Sequence, residues 1–250
     1  MEQKPQPTDA LPLVSCTLWI LATEDGSMRL NIAKTVIAAV LLVGATQANA
    51  SVVTDAASDY LATYFGSKTG DLDVISASVT YNPTSDIFHF ESTFAGNVGG
   101  SPSGFYIWGF DRGAGTGRFT ANGLPNVLFD SVVRFNMDGS GAVNLLAPTS
   151  GSTVLAAGTA TIQGNQLIAD IAGSLLPSTG FTKSSYTWNL WPRDGALAGG
   201  FGQISDFAPN LNNQAVQVVP LPGAFWLFGS MFALFRLAKR QTQALLAVVD

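Results

Sequence analysis

The chain is poor in the residue types that carry most enzyme chemistry. Of its 250 residues one is cysteine, Cys16, and one is histidine, His89. Cys16 precedes Met28 in a stretch with three prolines, so a domain beginning further along has no thiol. That excludes thiol catalysis, cysteine-ligated zinc and iron–sulfur clusters there. Charge is also scarce, with Lys, Arg, Asp and Glu making up 12% of the chain. Between residues 51 and 222 only Lys68, Arg112, Arg118, Arg134, Lys183 and Arg193 are basic. Twelve acidic residues oppose them, of which only Glu91 is a glutamate, for a net charge of −6. Such a balance leaves no electrostatic footprint for nucleic acid or anionic lipid. No internal repeat stands out.

The two ends read as addresses rather than fold. Met28-Arg29-Leu30-Asn31-Ile32-Ala33-Lys34 carries two positive charges, and an apolar stretch follows from Thr35 to Ala45. Ala48-Asn49-Ala50 then supplies a small-x-small cleavage site, which completes the three parts of a secretory signal peptide over 28–50. Its apolar part is shorter than the roughly 20 residues a spanning helix needs. Cleavage after Ala50 would leave Ser51 as the mature start. Residues 1–27 fall outside this scheme and read as a leader upstream of the true start at Met28. At the other end, Gly223 to Phe235 is uncharged and rich in aromatics. Pro220-Leu221-Pro222 precedes this run, and Arg236, Lys239 and Arg240 follow it. The run suits a short membrane-crossing helix with its basic end on the cytoplasmic side, a buried core helix being the competing reading.

Val219-Pro220-Leu221-Pro222, the aromatic apolar run and the terminal Arg/Lys cluster together resemble a PEP-CTERM sorting signal, over 218–240. Leu221 stands where the name-giving form has Glu, and the chain continues as a tail over 241–250. The resemblance implies processing by an exosortase in a Gram-negative bacterium that makes exopolysaccharide. It implies transient inner-membrane anchoring and then release to the cell surface or the extracellular matrix. Within the domain, Tyr106 to Gly113, Leu128 to Val132, Leu175 to Phe181, Tyr186 to Arg193 and Ser205 to Pro209 resemble passenger domains of such proteins. That second resemblance implies no particular activity.

Residues 51–209 are long enough for one independently folding domain, with 210–217 as a linker to the sorting signal. Their local patterns favour strands. Val74 to Tyr81 is β-prone, Asn82-Pro83-Thr84-Ser85-Asp86 is a turn, and Ile87 to Phe94 pairs back as a hairpin. Gly104 to Phe110 reads as a buried strand. Further strands are expected over 127–135, 142–146, 159–162, 166–172, 186–191 and 201–207, with Gln163-Gly164-Asn165 as a hairpin turn. One helix is expected from Asp55 to Phe65, capped by Thr54, with Ala57, Leu61 and Tyr64/Phe65 on one face. Short strands separated by turn signals, in a chain with 26 glycines, predict an antiparallel β-sandwich. The expected fold is thus mainly β, flanked by a signal helix and a sorting helix.

Candidate sites are few. A Ser-His-Asp triad is formally open to His89, but its place between Phe88 and Phe90, with no nucleophile elbow, reads as an ordinary strand histidine. Asp111, Asp130, Asp194, Asp206 and Glu91 offer carboxylates for glycoside hydrolysis, without a spacing that selects two. Asp111-Arg112-Gly113-Ala114-Gly115-Thr116-Gly117 lacks the Lys-Ser/Thr of a phosphate loop and reads as a turn, calcium on its aspartate and carbonyls being the alternative. Trp188 and Trp191, with Tyr106 and Trp108, suit either core packing or stacking on sugar rings. The expectation is an exported, non-catalytic surface or biofilm-matrix protein with no cofactor and no metal, meeting the secretion machinery, exosortase and exopolysaccharide. A carbohydrate- or calcium-binding module, with Asp111, Asp130, Trp188 and Trp191 as its low-ranked ligand residues, is the first alternative. A secreted carboxylate hydrolase is the second.

Overall fold

The computed structural model describes residues 52–219. Ala48, Ala50 and Ser51 of the expected cleavage site, and Pro220, Leu221, Pro222, Arg236, Lys239 and Arg240 of the expected sorting signal, lie outside these residues, as do the two expected terminal helices. Along the chain run β1 (Val53–Thr54), β2 (Val74–Asn82), β3 (Ile87–Phe94), β4 (Gly104–Asp111), β5 (Thr116–Phe119), β6 (Leu124–Phe129) and β7 (Ser131–Asn136). They are followed by β8 (Gly141–Leu145), β9 (Gly151–Leu155), β10 (Ala160–Gln163), β11 (Gln166–Ala172), β12 (Thr187–Asp194), β13 (Gln214–Ala215) and β14 (Gln217–Val218). Helical structure among the described residues is confined to four three-residue 3-10 turns. None of their helices is long and apolar enough to cross a membrane.

Twelve of the strands form two six-stranded sheets, and β5 and β6 pair as a separate two-stranded sheet. One has the order β1-β2-β3-β11-β10, with β14 also on β2; the other runs β13-β12-β4-β7-β8-β9. All pairings within them are antiparallel except β14 with β2. The predicted β-sandwich is therefore present. Its hairpins follow from turn chemistry. Asn82 Oδ1 accepts the Thr84 and Ser85 amides at 2.9 and 3.3 Å, closing β2 onto β3 with Asn82 opposite Ile87. Gly164, at φ +61°, turns β10 into β11 in a conformation that glycine adopts without a side-chain clash.

Alternation along the strands sends aromatic side chains between the sheets. Phe90 of β3 meets Trp108, Phe110 and Phe135 at centroid distances of 5.3, 5.5 and 5.8 Å, each edge-on. Trp188 lies 5.2 Å from Trp108 in the same core. A second, smaller core covers the other face of the β12-bearing sheet. There the β5–β6 hairpin and the segment around Ile204 and Phe207 pack Phe119, Val127 and Phe129 around Trp191.

Three expectations are corrected. No helix forms from Asp55 to Phe65: Thr54 lies in β1, the Asp55 amide bonds Ile75 O at 2.9 Å, and the Leu61 amide bonds Ser205 O at 2.8 Å. Those donors are used by tertiary partners, and Ser58 sits at φ +66°, so the apolar spacing serves a packed loop instead. Residues 201–207 begin with a 3-10 turn at Phe201–Gln203 and form no strand. Residues 210–217 are part of the domain rather than a linker, since β13 and β14 lie on the two sheets and Val216 is buried. Asn213 completes the attachment by accepting the Leu128 amide and donating to Leu128 O, like a strand partner.

Candidate functional site

Asp111 and Asp130 come together with the glycine-rich loop, but as a pin. Asp111 closes β4, and its Oδ1 accepts the Gly113 and Gly115 amides at 2.9 and 2.8 Å. Asp130 is the single residue between β6 and β7, fully buried, and faces the buried Arg112. Its Oδ1 accepts Arg112 Nε at 2.9 Å and the Arg112 amide at 3.2 Å. Its Oδ2 accepts the Ala114 amide at 3.2 Å and the Thr179 hydroxyl in a short bond. The remaining guanidinium donors reach Pro177 O, Asp130 O and Thr149 Oγ1 at 2.6, 3.0 and 3.0 Å. Both Asp130 oxygens and Asp111 Oδ1 each accept two N–H or O–H donors, which uses both lone pairs of each, so these oxygens hold the loop rather than form the calcium site that its composition suggested.

The stacking platform also fails at its predicted residues. Trp188 and Trp191 are 0% and 1% exposed, on opposite faces of β12, one in each core. Tyr106 and Trp108 are fully buried as well. No indole face among these is open to a sugar ring. Burial of three tryptophans within a two-core sandwich was legible only as the core reading of the same residues.

The carboxylates considered for hydrolysis are scattered. Glu91 is exposed on β3. Asp194 accepts Ser103 Oγ at 2.6 Å and the Ala196 amide at 2.9 Å. His89 Nδ1 lies 2.7 Å from Asp170 Oδ1, its cross-strand neighbour on the outer face of the sheet. An open depression of about 590 Å³ is lined by Pro102, Ser103, Gly104, Arg134, Asn136, Met137 and Asp138. Its single carboxylate, Asp138, holds its own turn through the Ser140 amide and hydroxyl at 3.0 and 2.6 Å.

A different carboxylate group converges where the loop after β1 meets the segment after β12. Oxygens of Asp55, Asp59 and Asp206 all lie within 4.8 Å of one another. The pairing of β1 with β2 delivers Asp55, the Leu61–Ser205 bond draws the loop across, and Ser205 Oγ anchors the far side on Leu72 O at 2.6 Å. Asp206 is 1% exposed, with Oδ2 accepting the Val74 amide at 2.9 Å and Oδ1 the Phe207 amide at 2.7 Å. Burial, reinforced by the charges of Asp55 and Asp59, pushes its carboxyl up to about 8. Asp73, just before β2, binds the Ser58 amide through Oδ2 at 2.7 Å. Burial raises both Asp55 and Asp73; the charges of Asp59 and Asp73 add to the rise at Asp55, and that of Asp59 to the rise at Asp73.

Sequence reasoning missed this group. Asp55 and Asp59 fall within the helix expected over 55–65 and Asp206 within the strand expected over 201–207, and no spacing links residues so distant in the chain. By donor chemistry the group suits a hard divalent cation bound through oxygen. Comparisons with protein-family models, with curated proteins and with solved structures find no match to this chain.

Proposed function

We propose that the chain is exported, sorted by an exosortase and left at the cell surface or in an exopolysaccharide matrix. There it works as a non-catalytic β-sandwich whose task is display and adhesion. The observation that carries this reading is the order of segments in the sequence. A basic–apolar–small signal occupies 28–50, and a Pro-Leu-Pro, apolar and basic signal occupies 218–240. Two features of the domain support it. β1 and β14, the first and last strands of the domain, both lie along β2 at one sheet edge. The polar clusters around Asp111, Asp130 and Asp194 are engaged in holding loops.

Mass spectrometry of the protein isolated from its native host tests the reading. The expected mature chain begins at Ser51 and lacks the apolar run after Pro222. An outer-fraction protein that retains Pro222 to Arg240 would sink it. A cation-binding module is the second reading, favoured by the Asp55–Asp59–Asp206 group.

A further inference from the structure

We propose that Asp55, Asp59 and Asp206, with Asp73 beside them, form a calcium site that staples the first strand of the domain to the segment following β12. Three carboxylates whose oxygens lie within 4.8 Å of one another cannot all be ionised at low cost: either one holds a proton or a cation sits among them. The protein supplies none: among the described residues, the ion pairs join His89 to Asp170, Arg112 to Asp130 and Lys183 to Asp86. Acidic clusters occur on many surfaces without a ligand, so charge alone would not suffice.

The second observation is the state of the buried oxygens. Asp73 is only 1% exposed, yet its Oδ1 receives no hydrogen bond. Asp55 Oδ2 is likewise buried with no donor, although Oδ1 of the same group accepts the Ala56 amide and Asn210 Nδ2 at 3.0 Å each. Asp73 faces this loop, because its other oxygen holds the amide of Ser58, between Asp55 and Asp59. A buried carboxylate oxygen without a donor is costly, and in native folds it calls for a specific partner. Calcium meets that need. It takes six to eight oxygens in irregular geometry, and carboxylates, loop carbonyls and water together provide them. Magnesium demands a tighter octahedron and retains its water, and the cluster holds no imidazole or thiolate for a softer metal.

The site is independent of where the chain is sent, because its ligands belong to the folded domain. Thermal unfolding and calorimetric titration of the full-length chain test it, with calcium chloride, magnesium chloride and a chelator as the probes. One calcium per chain is expected, with a dissociation constant of about 10⁻⁴ to 10⁻³ M, the range of extracellular modules. At about 10 mM calcium the melting temperature should rise by at least ~3 °C over the chelated protein. Asp59→Asn removes an exposed carboxylate and should fold normally while losing about tenfold or more in calcium affinity. Asp206→Asn should lose the calcium response as well. No rise in the parent protein, an equal rise with magnesium, or an undiminished response in Asp59→Asn would each overturn the site.

Discussion

Replacing Asp130 by alanine removes the carboxylate of the buried ion pair that holds the loop after β4. In the native chain both of its oxygens are saturated by Arg112 Nε, two amides and the Thr179 hydroxyl. Arg112 is 0% exposed, so the substitution leaves a guanidinium with no counter-charge in the interior. Its bonds to Pro177 O, Thr149 Oγ1 and Asp130 O would survive, but carbonyl and hydroxyl oxygens do not neutralise it. Breaking one side of a buried pair costs about 3–5 kcal/mol. That is a large share of the roughly 5–15 kcal/mol that separates a folded domain from its unfolded state. At about 2–4 °C per kcal/mol for a domain of this size, the melting temperature should fall by ~6–20 °C.

The double variant distinguishes a stranded charge from a simple loss of hydrogen bonds. Arg112→Met with Asp130→Ala removes the stranded charge along with its partner, so it should be no less stable than Asp130→Ala alone. Circular dichroism melts and guanidinium titrations of the parent, both single variants and the double variant supply the full cycle. A loss below about 1 kcal/mol for Asp130→Ala would refute the idea that this pair pins the loops. So would strict additivity of the two single losses, because groups in one buried network should couple.

Other outcomes follow from the same geometry. A β-carbon at Gly109 would meet Trp191 Cη2 at 2.2 Å and Cζ3 at 2.5 Å, so Gly109→Ala should overpack the second core and cost about 1–3 kcal/mol, read in a melt and in shifted tryptophan fluorescence. Asn213→Ala removes the carboxamide that pairs with both backbone groups of Leu128 and should lower stability by about 1–2 kcal/mol in a denaturant titration. The Lys183 ammonium, hydrogen-bonded to both Asp86 oxygens, holds that carboxyl below its ordinary value of 3.8. A depressed folded-state value means that this stabilisation is complete above about pH 4 and is lost as pH falls through the lower folded value. The stability curve of Asp86→Asn should therefore be flatter than that of the parent below about pH 4, by a modest amount because the pair is partly exposed.

How far the sequence revealed this fold depended on whether neighbours in the chain were also neighbours in space. The β2–β3 and β10–β11 hairpins were legible because the turn residues and the strands they join are contiguous. β6 and β7 read as one run, since the break rests on Asp130 turning inward toward Arg112, a partner contributed by the preceding loop. β9 gave no alternation to detect, with four of its five residues exposed. The supposed helix at Asp55 to Phe65 shows the converse error. Leu61 and Tyr64 do face the core, but a loop held by Ile75 O and Ser205 O can present them as well as a helix can. The carboxylate group was out of reach for the same reason, because sheet pairing and loop hydrogen bonds between distant segments assemble it.

The edge of β2 links the fold to the export reading. β1 covers Ser76 and Ala77, while β14 covers Thr80 and Tyr81, so two short pieces from opposite ends of the domain close one edge of the sheet. An uncovered edge of that kind would expose unpaired amides and carbonyls and invite pairing with another chain. The last backbone bond in the described chain runs from the Val219 amide to Tyr81 O, and the next residue is Pro220, which has no amide hydrogen to continue the ladder. Cleavage after Ala50 and beyond Val219 would therefore leave both covering pieces in place. Cleavage within 210–216 would strip β14 and the buried Val216, exposing the edge at the moment of release. If the chain is processed as proposed, the fold itself favours a carboxyl-terminal cut on the proline side of Val219.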